Sequence, residues 1–299
     1  MPTFKVTAIH NAYKDTFIMI DINNISFAYA GQKEKVFDHF SLQLNANNIY
    51  GLLGKNGTGK STLLYLISGL LRPKEGSVTV DGYKSIDRRP EMLEEVFIVP
   101  EEFDLPAMTL DKYVSINEPF YPHFSREVLN NCLNDFELPA SLSLQSLSMG
   151  QKKKVFMSFA LAAGTRLLLM DEPTNGLDIP SKVQFRRVVA NNMTDDRTLI
   201  ISTHQVHDVE SLLDHILILS KDKLLLDASV GDICERYTFE YRAPGSRTDD
   251  VLYSEPSVQG NAVITPRQAG TDETPLNLEL FFNAVTLGKV NGMNDNTQS

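Results

Sequence analysis

Eight consecutive residues constrain this chain more than any others. Gly54-Lys55-Asn56-Gly57-Thr58-Gly59-Lys60-Ser61 fits G-x-x-x-x-G-K-[ST] at every fixed position. The apolar run Ile49-Tyr50-Gly51-Leu52-Leu53 leads in, and an apolar stretch from Lys60 to Leu71 leads out, so the context reads as strand, loop and helix. Gly54, Gly57 and Gly59 let backbone N–H groups converge on phosphate oxygens with no Cβ in the way, and Asn56 and Thr58 complete the cradle. The helix N-terminus adds partial positive charge. Lys60 is placed to reach β- and γ-phosphates, while Ser61, with Thr62 behind it, offers a hydroxyl to Mg²⁺.

A chain built on that loop needs a parallel sheet around it, and the hydrophobic pattern supplies one. Short strands are expected at Ile18–Ile22, Ile25–Tyr29 and Phe40–Leu44, and again at Ser77–Val80. Fully apolar runs at Leu167–Met170, Thr198–Ser202 and His215–Ser220 alternate with helical segments, which indicates parallel strands covered on both faces. Between Glu101 and Gln145 the strand character gives way to amphipathic helix, including one opened by Ser125 as N-cap; a further helix runs from Leu147 to about Gly164. Residues 1–18 lack periodicity and are expected to form a loose leader, with Met19 an alternative start. From about residue 236 onward, short β-like pieces separated by turns precede one helix, with Thr274 as N-cap and Pro275 at its first position. The polar end, from Gly288 to Ser299, is expected to be disordered.

A second chemical element stands at the end of an apolar strand. Leu167-Leu168-Leu169-Met170 delivers Asp171 and Glu172 to the carboxyl edge of the sheet, where ligands of open α/β folds sit. Asp171 there can hold Mg²⁺ through water, and Glu172 can orient or deprotonate an attacking water.

Leu147-Ser148-Met149-Gly150-Gln151 makes the resemblance specific. It is similar to the L-S-G-G-Q signature of ATP-binding cassette (ABC) proteins, with Met149 in place of a glycine. Gly176-Leu177-Asp178 resembles that family's D-loop, and Ser202-Thr203-His204 its switch ending in histidine. Over about residues 19–235 the order and spacing of these motifs resemble those of ABC transporter ATPase subunits, and the cassette with its short C-terminal extension is similar to ATPases of the ABC-2 exporter type. The resemblance implies an α/β fold: a P-loop NTPase (RecA-like) core, an inserted α-helical signature subdomain at about 101–160, and a small β-rich extension over 236–299.

The same resemblance implies roles. Tyr29 would stack on the adenine of ATP. Ser148 and Gly150 would open a helix facing the γ-phosphate held by a second ATPase chain, and Asp178 would bridge to that partner's phosphate loop. His204 would contact the γ-phosphate. Lys60, Glu172 and His204 form the catalytic set, and Ser61, Asp171 and Glu101 the metal set. Glu101 departs from the family, which has glutamine at the corresponding loop. A carboxylate near Mg²⁺ and phosphate puts the ordinary contact of that loop in question, and direct ligation of the metal is expected instead.

Composition narrows the partners. With 28 Lys+Arg against 38 Asp+Glu the formal charge is −10, which excludes a protein that coats nucleic acid by bulk charge. Two cysteines, Cys132 and Cys234, are expected to be reduced thiols. No apolar run reaches the roughly 20 residues a spanning helix needs, so a transporter ATPase of this kind implies a separate membrane permease and a peripheral position on the cytoplasmic face. Lys152-Lys153-Lys154 reads as a solvated basic face. Alternatives are a soluble ABC ATPase acting on DNA or ribosomes, disfavoured by the single cassette and acidic charge, and a regulatory nucleotide-binding subunit, which Glu101 keeps open.

Overall fold

The computed structural model describes residues 18–290 except 140, 222 and 269; residues 1–17 of the expected leader and residues 291–299 lie outside them. An antiparallel sheet comes first, with strands β1 (Ile18–Phe27), β2 (Phe37–Asn45), β4 (Glu75–Val80) and β5 (Tyr83–Lys84) in the order β2-β1-β4-β5. The central sheet holds β3 (Ile49–Leu53), β6 (Val96–Val99), β7 (Leu167–Asp171), β8 (Thr198–Thr203), β9 (His215–Ser220) and β10 (Lys223–Ser229), ordered β10-β9-β3-β8-β7-β6. Its strands are parallel except for β10, which pairs antiparallel with β9.

β7 shows why this sheet forms. Leu167 and Leu169 face one apolar cluster while Leu168 and Met170 face another, and all four are fully buried. A side-chain period of two on a strand covered twice requires an unbroken apolar run. The first cluster takes in Leu63, Leu64 and Ile67 of α1 (Lys60–Ile67), which lies between the two sheets. The short α2 (Pro90–Leu93) precedes β6. The second cluster is roofed by α3 (Leu110–Asn117), α4 (Arg126–Asp135), α5 (Met149–Ala162) and α6 (Ile179–Asn192).

Past α7 (Val230–Arg236) the extension is a three-stranded antiparallel sheet of β11 (Tyr237–Arg242), β12 (Tyr253–Ser257) and β13 (Gly260–Pro266), followed by α8 (Leu278–Thr286). Phe239, Ile264 and Phe281 join the same apolar cluster as Ile216 and Leu226, so this segment is packed on the core.

Four local expectations need correction. β1 is one strand, not two; irregular pairing between Ile22 and Ile25, with Asn24 at φ +50°, lets it continue. α1 stops at Ile67, short of Leu71, because Gly69 at φ +72° ends it. Asn277, not Thr274, caps α8: its Oδ1 accepts from Leu280 N, while Thr274 Oγ1 accepts from Phe239 N on β11. Within the end expected to be disordered, Gly288 and Lys289 are exposed but Val290 is buried; the remainder, 291–299, is outside the described residues.

Candidate functional site

β3 ends in the middle of the central sheet, and residues 54–59 turn the chain into α1. Gly57 and Gly59 take φ of +82° and +99°, where an L side chain is strained. A Cβ at Gly59 would also stand 2.8 Å from Val36 Cγ1. Behind the loop, the buried Lys60 donates from Nζ to Gly54 O at 2.8 Å and to Lys55 O at 3.3 Å. Thr58 Oγ1 donates to Lys55 O. On the far side, Tyr29 OH lies 2.9 Å from Thr62 Oγ1, and its ring meets Phe27 edge-on.

Adjacent parallel strands deliver the acids. The register of β7 and β8 sets Asp171 beside Ser202, whose hydroxyl donates to Asp171 Oδ1. Oδ2 is buried with no hydrogen-bond partner among the described residues, and burial pushes the carboxyl pKa up. An orphaned, desolvated carboxylate oxygen calls for a cation. Asp171, the Ser61 hydroxyl and the Glu101 carboxylate are hard oxygen donors of the kind Mg²⁺ takes, so the donor set fits it.

Glu172 adopts φ +44°, a left-handed conformation that costs a non-glycine residue on the order of 1–3 kcal/mol. Its surroundings hold it there. Oε2 accepts from Thr203 Oγ1 at 3.0 Å and from His204 N at 3.4 Å, and Oε1 pairs with His204 Nδ1 at 2.8 Å. Glu101, just past β6, accepts at Oε1 from Asn175 Nδ2 at 2.8 Å.

A cleft of about 360 Å³ is lined by Tyr29, Asn56, Gly57, Gly59, Lys60, Ser61, Thr62, Glu101 and Glu172. Gly54, Thr58, Asp171 and His204 stand behind it through the contacts above. The cleft joins backbone N–H groups and a cation that suit phosphate to a carboxylate braced by an imidazole, a pairing that can orient water.

Ser148, Gly150 and Asp178 do not line this cleft. Ser148 caps α5 in a capping box with Gln151 (Gln151 N to Ser148 Oγ 3.3 Å; Ser148 N to Gln151 Oε1 3.0 Å). Asp178 caps α6, accepting from Ser181 N at 2.9 Å, and hydrogen bonding with the Ser181 side chain and then its backbone holds the carboxyl below the usual range. Beside them Met149 and Ile179 are exposed, the latter 80%.

Sequence reasoning missed several residues. Thr203 lay inside a motif already noted and Asn175 directly before one, yet their partners, Glu172 and Glu101, are distant in sequence. Lys153 is a correction. It is buried, not solvated, and donates to Asn175 O at 2.8 Å and Glu172 O at 3.3 Å. Three consecutive lysines on a helix point in three directions, about 100° apart, so one of them met the core.

Comparison with known proteins places this arrangement. Residues 37–175 match the family described as ABC transporter. The Linearmycin resistance ATP-binding protein LnrL of Bacillus subtilis is 30% identical over 224 residues, covering 73% of this chain and 71% of that protein.

The chain belongs to the ABC transporter ATP-binding proteins.

Further members include the ABC transporter ATP-binding protein YtrB of Bacillus subtilis (28% identity; 73% of this chain, 75% of that protein). The Zinc uptake system ATP-binding protein ZurA of Listeria innocua is likewise 28% identical, over 71% of this chain and 86% of that protein. Among solved structures, an ATP-binding subunit of an ABC transporter aligns with TM-score 0.64 at 24% identity over 72% of this chain and 91% of that one, a likeness of fold. As an ABC ATPase the chain binds and hydrolyses ATP. No helix among the described residues is long and apolar enough to cross a membrane.

Proposed function

We propose that this chain is the ATPase subunit of an exporter, working as one of two cassettes that close on ATP at the cytoplasmic face of a membrane and move a separate permease. The observation that carries the two-chain reading is spatial. Lys60, Ser61 and Glu172 line the cleft, whereas Ser148, Gly150 and Asp178 lie outside it, next to the exposed Met149 and Ile179. A second copy would bring its Ser148 helix N-terminus to this cleft.

In that sandwich Tyr29 stacks on adenine, and Gly54 to Thr62 hold the phosphates with Lys60. Mg²⁺, when bound, neutralises phosphate charge; Ser61, Asp171 and Glu101 would hold it. Glu172 takes a proton from the attacking water, and His204 keeps its carboxylate aimed. Asp178 reaches toward the partner's loop.

A groove of about 650 Å³, lined by Leu70, Leu93, Phe97, Tyr113, Phe120 and Tyr121 among others, offers the permease an apolar seat between core and helices. The resistance protein LnrL supports export, and the zinc uptake protein ZurA marks the opposite direction as the outcome to test against. The experiment is co-purification of this chain with a permease from membranes, followed by reconstitution of the pair. Inverted vesicles that take up substrate with ATP, and ATPase activity raised by the permease, support the proposal; uptake in right-side-out vesicles fed ATP inside overturns export.

A further inference from the structure

Lys153 sits on α5, five residues after the capping Ser148, and its ammonium is turned inward. It donates to the backbone carbonyls of Glu172 and Asn175 at 3.3 and 2.8 Å. Burial pulls its pKa down, with Glu101 and Glu172 opposing that pull. A lysine this far from water is retained only where carbonyl dipoles and nearby carboxylates replace its hydration.

The carbonyl it grips belongs to the residue held at φ +44°. Strands β7 and β8 fix the rest of Glu172: its N–H donates to Ser202 O at 3.0 Å and its carboxylate is held by Thr203 and His204. Lys153 adds a restraint from a different element, the helix whose first turn carries the signature. α5 also reaches the Glu101 segment. Phe156 packs at a tilt against Phe103, 4.5 Å between ring centroids, and Lys152 lies 3.8 Å from Asp104. Asn175, whose carbonyl Lys153 holds, closes the circuit through its amide to Glu101 at 2.8 Å.

We propose that Lys153 is a positioning residue that ties the signature helix to Glu172 of the same chain, so that ATP engaged by Ser148 at one composite site sets the hydrolytic geometry at the other. This rests on the two-chain reading above. A signature helix drawn onto the partner's γ-phosphate carries Lys153 with it, and the strained Glu172 turn follows. Misplacement of a reacting group by about 1 Å can cost on the order of 10²-fold in rate.

The test is steady-state ATPase kinetics with nucleotide-binding titrations on purified full-length protein. Lys153→Met removes the ammonium at similar length, and Lys153→Arg keeps a donor cation. The expected result for Lys153→Met is kcat lower by about 10²-fold, ATP Kd within about threefold of wild type, and a Hill coefficient for ATP falling toward 1. Lys153→Arg regains at least about tenfold of the lost kcat. Should Lys153→Met not fold, Lys153→Gln is held to the same figures. Wild-type kcat in a folded variant, kcat and Kd worsening together, or an unchanged Hill coefficient overturns the inference. A wild-type protein lacking ATPase activity or cooperativity counts against the two-cassette function instead.

Discussion

The Lys60 ammonium lies 3.6 Å from Glu172 Oε1, both side chains buried beneath the nucleotide cleft. One cation therefore pairs with the Glu172 carboxylate and, in the function proposed above, meets the phosphates of ATP as well. Replacing it with alanine removes charge from a site that depends on it. Lys60→Ala is expected to lower ATP affinity and turnover by at least about 10²-fold, the scale of losing a charge-assisted contact of about 3 kcal/mol. Fluorescent-nucleotide titration and phosphate release measure both, and near-normal hydrolysis would sink the assignment of this loop.

Glu172→Gln keeps the shape of the side chain, leaves one acceptor oxygen where Thr203 and His204 engage two, and loses basicity. Hydrolysis is expected to slow by roughly 10²–10⁴-fold while ATP still binds. With release blocked, the two-chain complex accumulates. Gel filtration in the presence of ATP decides: a variant that binds nucleotide and stays monomeric contradicts the shared site.

Glu101 brings a carboxylate where the family carries an amide, and Asn175 already occupies one of its oxygens. An additional negative charge about 4 Å from phosphate costs on the order of 4 kcal/mol at an effective dielectric of 20, unless a cation stands between them. Glu101→Gln is expected to raise the Mg²⁺ concentration for half-maximal ATPase several-fold while ATP binding persists. Unchanged midpoints in a Mg²⁺ titration of Glu101→Gln and Glu101→Ala rule out metal ligation by this residue.

The extension is packed on the core through Phe239, Ile264 and Phe281. Phe281 is fully buried against Tyr237 and Phe239. Phe281→Ala is expected to cost roughly 3–5 kcal/mol of folding stability. Urea denaturation reports it, and a loss below about 1 kcal/mol would mean that the extension packs loosely. Ending the chain after Tyr237 strips the same cover and is expected to lower Tm as well.

Burial pushes the Cys132 thiol up to about 12, and Cys234 is raised for the same reason. At pH 8 neither is a thiolate in the folded protein, so a disulfide reagent labels them only through opening of the structure. Labelling is expected to be slow at pH 8 and complete in denaturant; fast labelling of the native protein contradicts this packing.

Much of the site is written locally. The phosphate loop, the Asp171-Glu172 pair and the Ser148 cap each depend on a few adjacent residues, because glycine freedom, strand burial and helix capping act over one or two turns of chain. The order of these segments along the sequence carries the family, and the two-sided burial of Leu167 to Met170 carries the parallel sheet. Tertiary structure decided the rest. Whether Thr274 or Asn277 capped the last helix depended on β11 claiming the Thr274 hydroxyl, and a strand 35 residues away leaves no local mark. Lys153 was one of three like lysines until the position of α5 against the Glu172 turn chose it for burial. Pairing of Asn175 with Glu101, and of Thr203 and His204 with Glu172, arises where separate strands end side by side. Sequence determined which groups the site contains; packing between distant elements, which sequence spacing does not encode, decided which of them touch.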